Sequence, residues 1–230
     1  MTEFGNKRQM DKENLPEVLS VLPLSPGLLL PQTRLLVHVE DPKYVALIDA
    51  VMQSHRMLAI VQTNMSDGEN NTDADEMAPL CKVGCLGRIV QYGEAGDHGT
   101  IIVVLGVCRF KILEEIEVDT PWRQVRVTTE PYSADFLPSS GLDKIDRAQV
   151  LNTLKTYMMS KDLQDEFEEV EYTPTDWLVN SLCMLLPYGV GEKQAFLEAS
   201  DLSERADLLI AVTEYFLARE GKITTLVSLQ

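Results

Sequence analysis

From Pro79 the chain reads PLCKVGCLGRIVQYGEAGDHGTIIVVLGVCRFKI, and this segment limits the fold more than any other. Apolar residues alternate with polar ones through Val83, Cys85, Ile89 and Tyr92, and a Gly93 to Gly99 turn follows. An apolar run from Ile101 to Leu105 then leads on to Arg109-Phe110-Lys111-Ile112. Period-two runs bounded by Gly, Asp and Asn are strands, and glycine supplies the positive φ of a tight turn, so the pattern predicts antiparallel strands joined by a glycine-rich hairpin. Gly84, Gly87 and Gly106 lie inside the runs, where a missing side chain weakens a strand unless a bulge or close packing needs it. They predict a strongly bent, barrel-like sheet.

The rest of the chain sorts by period. Val21 to Leu24, Arg34 to Val39, Met57 to Gln62 and Trp122 to Thr129 read as further strands. Asp41-Pro42 reads as a helix start, because the carboxylate accepts an orphan amide and proline is preset for a first turn. Beyond Pro131 to Gly141, a Pro- and Ser-rich break, the period changes to 3.6. Leu142, Ile145, Leu151, Leu154 and Met158 outline one helix, and Leu178, Ser181, Leu182 and Leu185 a second. A short helix from about Glu192 to Ala199 is the third. Asp201 with Glu204 forms a capping box for the last helix, with Gly221 as its stop. The expected organisation is a flexible tail over 1–14, a β-rich domain over 15–130, a linker over 131–141, a helical domain over 142–222 and a tail over 223–230. The acidic, polar stretch from Asn64 to Met77 is expected as a mobile insertion.

Composition removes several functions. The chain has 230 residues, 45% hydrophobic, and a formal net charge of −16. An acidic protein repels phosphate backbones, whose affinity for proteins comes largely from Lys and Arg displacing counterions, so the charge argues against a nucleic-acid partner. No apolar run reaches the ~18–20 residues of a membrane span, and the polar N-terminus has no signal-peptide pattern. A cytoplasmic location is therefore expected. Four cysteines, at 81, 85, 108 and 183, are too few and too scattered for a disulfide framework.

Chemistry-bearing motifs are equally sparse. Cys81 and Cys85 lack the second close pair that a structural zinc site needs, and His38, His55 and His98 have no evident companions. G-x-S-x-G is absent, and Gly189-Val190-Gly191-Glu192-Lys193 lacks the spacing and the Ser/Thr of a phosphate-binding loop. Asp162 to Glu171 lacks the ligand order and glycine of a calcium loop and reads as a solvated segment. No catalytic residue, cofactor site or metal site is assigned.

Several motifs in order resemble a known family. Leu22-Pro23-Leu24, Leu30-Pro31, Val37-His38-Val39-Glu40 before Lys43-Tyr44, Val83-Gly84, Gly87-Arg88-Ile89, Gly106 and Arg109-Phe110-Lys111-Ile112 resemble the Lon protease N-terminal, substrate-binding domain. Leu30, Val39 and Lys43 depart from the aromatic, Phe and Arg usual at those places. The resemblance covers roughly Val21 to Ile223. It implies an α+β fold with a PUA-like β-barrel N-terminal domain followed by an α-helical C-terminal domain. The implied role is non-catalytic recognition of unfolded or damaged polypeptide, as an adaptor in protein quality control alongside a protease or chaperone. Leu28, Leu29 and Leu30, beside the Pro26-Gly27 turn, and Phe136 and Leu137 are the candidate peptide-binding residues, with packing of the barrel or domain interface as their other reading. Two alternatives stay open: a nucleic-acid-binding PUA-like module, and a small-molecule hydrolase with an unrecognised site. The oligomeric state is not legible.

Overall fold

The computed structural model describes residues 15–63, 78–96, 99–137, 141–161 and 172–227, the side chains of 220–227 excepted. The expected N-terminal tail, the insertion over 64–77, His98 and the acidic segment over 162–171 lie outside the described residues. The fold is α+β. Six strands, β1 (Val18–Pro23), β2 (Arg34–Val39), β3 (Met57–Val61), β4 (Val83–Glu94), β5 (Thr100–Ile116) and β6 (Gln124–Thr128), pair in the order β2-β5-β4-β3-β1-β6. β6 also pairs with β5, so β5, β4, β3, β1 and β6 form a hydrogen-bonded ring from which β2 extends as a flap. β1 and β3 run parallel, and every other pairing is antiparallel.

The glycines in the strand runs mark where this sheet bends. The β4–β5 register slips between Leu86 and Gly87 and again between Ile89 and Gln91. A Cβ at Gly84 would come within 2.6 Å of the Phe110 ring and 2.8 Å of the Ile60 carbonyl. One at Gly106 would collide with the Leu30 carbonyl. The loop before β2 is thus pressed onto β5, where Gln32 N–H donates to Gly106 O and Gly106 N–H to Thr33 O, both at 2.9 Å.

That contact corrects one expectation. Leu28, Leu29 and Leu30 are 3%, 1% and 0% exposed and pack the core under the glycine, so they present no surface to a peptide. Three consecutive apolar residues can all be buried here because the loop runs over a sheet that has no side chain at Gly87 and Gly106.

The helices are α1 (Pro42–Met52), α2 (Arg147–Ser160), α3 (Thr175–Leu185), α4 (Val190–Glu198) and α5 (Leu202–Val227). Asp41 caps α1, accepting from Lys43 N–H at 2.8 Å. The capping box of α5 is present: Asp201 Oδ1 accepts from Glu204 N–H at 2.9 Å, and Glu204 Oε2 accepts from Ser200 N–H at 2.6 Å. Two helix ends differ from expectation. α2 begins at Arg147, because Asp146 caps it through Gln149 N–H after a short 3-10 turn at Leu142–Lys144. α5 runs through Gly221 to Val227, so the expected C-terminal tail starts as helix; a single glycine costs a helix about 1 kcal/mol but does not have to end it.

Two apolar clusters result. Inside the ring, Leu19, Val21, Met57, Ala59, Val61, Leu86, Cys108, Phe110, Val125 and Val127 come from its five strands. On the outer face, Ile60, Ile89, Ile102 and Val104 join Leu47, Ile48 and Val51 of α1 and residues of α2 to α5, among them Leu154, Val179, Phe196 and Leu209, in one continuous cluster. The period-two strands therefore bury both faces, one against each other and one against helices.

Candidate functional site

Arg109 sits in β5 between Cys108 and Phe110, with its side chain on the helix side and 1% exposed. The stretch expected as a linker delivers its partner. Residues Glu130–Phe136 form a 3-10 helix after β6, and Asp135 accepts from Arg109 Nη2 at 2.8 Å, Arg109 Nε at 3.0 Å and the Arg109 backbone N–H at 2.8 Å. The far edge of the guanidinium reaches the end of α4: Nη1 donates to Leu197 O at 3.1 Å and to Ala199 O, and Nη2 to Ser200 O at 3.4 Å. Carbonyls at a helix C-terminus lack partners within the helix and carry partial negative charge, which a cation satisfies. The Tyr132 ring lies 4.4 Å from the guanidinium carbon. One side chain thus ties the sheet, the 3-10 segment and α4 together.

Arg205, on the first turn of α5, is 3% exposed. Its Nε donates to Phe196 O and its Nη1 to Asn180 Oδ1, each at 2.8 Å. Asn180 of α3 in turn donates to Pro31 O at 3.3 Å, linking the helices to the loop before β2. Burial, then repulsion from Arg109, pulls Arg205 down to about 10. It remains a cation at neutral pH.

These two arginines line a small cleft of about 70 Å³, open to solvent, between the pre-β2 loop, the 3-10 segment and the starts of α3 and α5. Its rim carries apolar side chains that stay largely in water, Leu137 at 61% and Trp177 at 54% exposed. An apolar rim over a few convergent polar groups is the usual make-up of a ligand site. Of the candidate residues, Leu137 lines this cleft, while Phe136 is half-buried against the core inside the ring. Trp177, Asn180, Arg205 and Asp135 were not singled out from sequence. A signal did exist for both arginines: each interrupts an otherwise apolar stripe, Arg109 in a strand and Arg205 between Leu202 and Leu209 on a helix face, where a charge needs a buried partner.

The other titratable groups offer less. Burial pushes the Cys108 and Cys183 thiols up to about 12 and raises the Cys85 thiol well above its ordinary value, so none of the three is a thiolate at neutral pH. His55 Nδ1 accepts from Met57 N–H at 3.1 Å, and His38 lies 3.3 Å from Glu40 at the surface. Among the described residues no three His, Cys, Asp or Glu side chains cluster as metal ligands, and no helix is long and apolar enough to cross a membrane.

With this geometry established, comparison with known proteins gives a consistent result. The family model of the ATP-dependent protease La (LON) substrate-binding domain matches residues 18–213. The Lon protease of Anaeromyxobacter dehalogenans is 26% identical over 208 residues, 87% of this chain and 23% of the relative. The Lon protease of Parabacteroides distasonis is 26% identical over 223 residues, 93% of this chain and 25% of the relative. The chain therefore spans about a quarter of the length of these curated relatives. Among solved structures, the N-terminal domain of Mycobacterium avium complex Lon protease aligns with a TM-score of 0.61 at 20% identity, covering 86% of this chain and 98% of that one. The Lon N-terminal domain protein from Xanthomonas campestris aligns at 0.55 and 19%, covering 84% and 97%. The two structural likenesses concern the fold; the family match, which takes in β1 through the first turns of α5 and every residue of the cleft, assigns the chain to the Lon substrate-binding domain family.

Proposed function

We propose that this chain is a polypeptide-recognition module, and that the cleft between Leu137 and Trp177 is where an extended segment is held. The observation that carries the reading is that two exposed apolar side chains, Leu137 and Trp177, line one cleft together with the buried polar groups Arg109, Asn180 and Arg205. Leu137 and Trp177 offer apolar area to a side chain of the segment, and the floor offers fixed polar groups to its backbone or ends. On this reading the ring is a PUA-like barrel, the helices from Arg147 onward form the second domain, and the module acts without catalysis of its own. It works in the cytoplasm as an adaptor in protein quality control, and any hydrolysis of ATP or peptide bonds is supplied from outside the matched region. The net charge of −16 favours this over nucleic-acid binding.

The test is titration of a permanently unfolded model protein against the wild type, the Leu137→Asp/Trp177→Asp variant and a Leu36→Asp control. Leu36 lies on β2, the flap outside the ring, is not among the residues lining the cleft and is 69% exposed. We expect the cleft variant to lose about tenfold or more in affinity, with the control unchanged. Equal binding by all three proteins removes the cleft from the site. No binding by the wild type removes the polypeptide reading altogether.

A further inference from the structure

The floor of the cleft holds more positive charge than its buried carboxylate matches. Asp135, with a side chain 8% exposed, is fully engaged by Arg109. Arg205 is held by neutral acceptors, Phe196 O and Asn180 Oδ1. Its Nη2 is buried and has no hydrogen-bond partner among the described residues. A guanidinium has five N–H donors in a fixed fork and cannot be neutralised at physiological pH, so a buried one left without an acceptor is costly. The remaining carboxylates of the lining are occupied at helix starts: Asp176 Oδ1 accepts from Trp177 N–H at 2.9 Å and Asp201 Oδ1 from Glu204 N–H. Among the described residues neither carboxylate hydrogen-bonds the Arg205 guanidinium; Asp201 meets Arg205 only through the backbone, its carbonyl accepting from Arg205 N–H at 3.2 Å.

We propose that the cleft recognises a carboxylate of the bound polypeptide, received by Arg205, while the adjoining residues lie between Leu137 and Trp177. This rests on the polypeptide reading above and names the group that is recognised. A singly charged carboxylate suits the floor better than a phosphate, because one guanidinium nitrogen is free and Asp176 and Asp201 stand on the same lining. The carboxylate has two sources, the C-terminus of a chain or an Asp or Glu side chain, and both present the same planar acceptor to the guanidinium.

Three versions of one apolar peptide decide the matter, each with two lysines at its N-terminal end so that general repulsion from the acidic protein stays constant. The first has a free C-terminal carboxylate and no acidic side chain, the second is its C-terminal amide, and the third is the amide with a single internal Glu. Each is titrated into the full chain by calorimetry and by the indole N–H resonance of Trp177. We expect at least one carboxylate form to bind about tenfold or more tightly than the plain amide, and whichever form gains identifies the source. In Arg205→Gln that ratio falls to about one, whereas exposed Arg34→Gln keeps it; if Arg205→Gln does not fold, the ratio on the wild type still decides. Equal affinity for all three peptides overturns the carboxylate assignment and leaves polypeptide binding standing. Binding of none of them overturns both.

Discussion

Phe110 and Arg109 are consecutive residues of β5, 0% and 1% exposed, yet they serve cores of opposite chemistry. Phe110 points into the ring, where the buried cluster is built from aliphatic, sulfur and aromatic groups. Arg109 points to the helix side, where the apolar cluster is sealed by an ion pair, three carbonyls of the α4 end and an aromatic face. A dry core is held by non-directional burial and tolerates exchange of one apolar shape for another. A junction closed by buried charge is held by direction and count, so every donor must find its acceptor. The ring is therefore the robust part of this molecule, and the seam between sheet and helices, where the cleft lies, is the exacting part.

The largest effects should come from breaking each core at this pair. Phe110→Ala and Arg109→Met should each cost about 3–5 kcal/mol in urea unfolding, one through a cavity and the other through a stranded Asp135. The conservative changes separate them. Phe110→Leu should cost less than about 1.5 kcal/mol, whereas Arg109→Lys should cost about 2 kcal/mol or more, since an ammonium cannot make the forked bonds to Asp135 and the α4 carbonyls. Adding Asp135→Leu to Arg109→Met should recover part of the loss. Strict additivity would mean that the pair does not act as a unit.

Smaller effects probe what lies between the two cores. Gly106→Val pushes the Leu30 backbone off β5 and should cost about 1–3 kcal/mol, lowering the thermal midpoint without changing the secondary-structure content. Asp201→Ala removes the α5 cap beside the cleft and should cost about 1 kcal/mol. The smallest effect is a pH dependence. Hydrogen bonds from Ser200 hold Glu204 below its ordinary value of 4.5, so the stability it contributes is present above 4.5 and is lost as the pH falls through the lower folded value. In the acid limb of a denaturation series Glu204→Gln should flatten that segment. Because Glu204 is exposed, added salt should shrink the difference, and an unchanged limb would remove the reciprocal half of the capping box.

The ring was the more legible region for the same reason that it is the more robust. The alternation along Val83 to Ile89 and the apolar run from Ile101 to Leu105 mark strands from near-neighbour pattern alone, and the glycines at 84, 87 and 106 announced close approach and bulging. The caps at Asp41 and Asp201 were also readable, because a cap is a contact between residues two or three apart. Leu28 to Leu30 were misplaced as a candidate surface since nothing in a run of three leucines says which element will cover it. Asp135 was hidden in a segment whose Pro and Ser suggested only a break.

The sequence by itself determined the period of each element, the acidic charge that argues against nucleic acid, and the succession of motifs that places the chain in its family. Tertiary structure alone decided that Arg109 meets Asp135 across 26 residues and the α4 carbonyls across about 90, that Asn180 reaches Pro31 across 149, and that Leu137 and Trp177 face one cleft. Local pattern is set by what a residue's near neighbours allow. A site assembled from several separate elements is set by how those elements dock, and Arg205 Nη2, a buried nitrogen without an acceptor among the described residues, comes to that state only once they have done so.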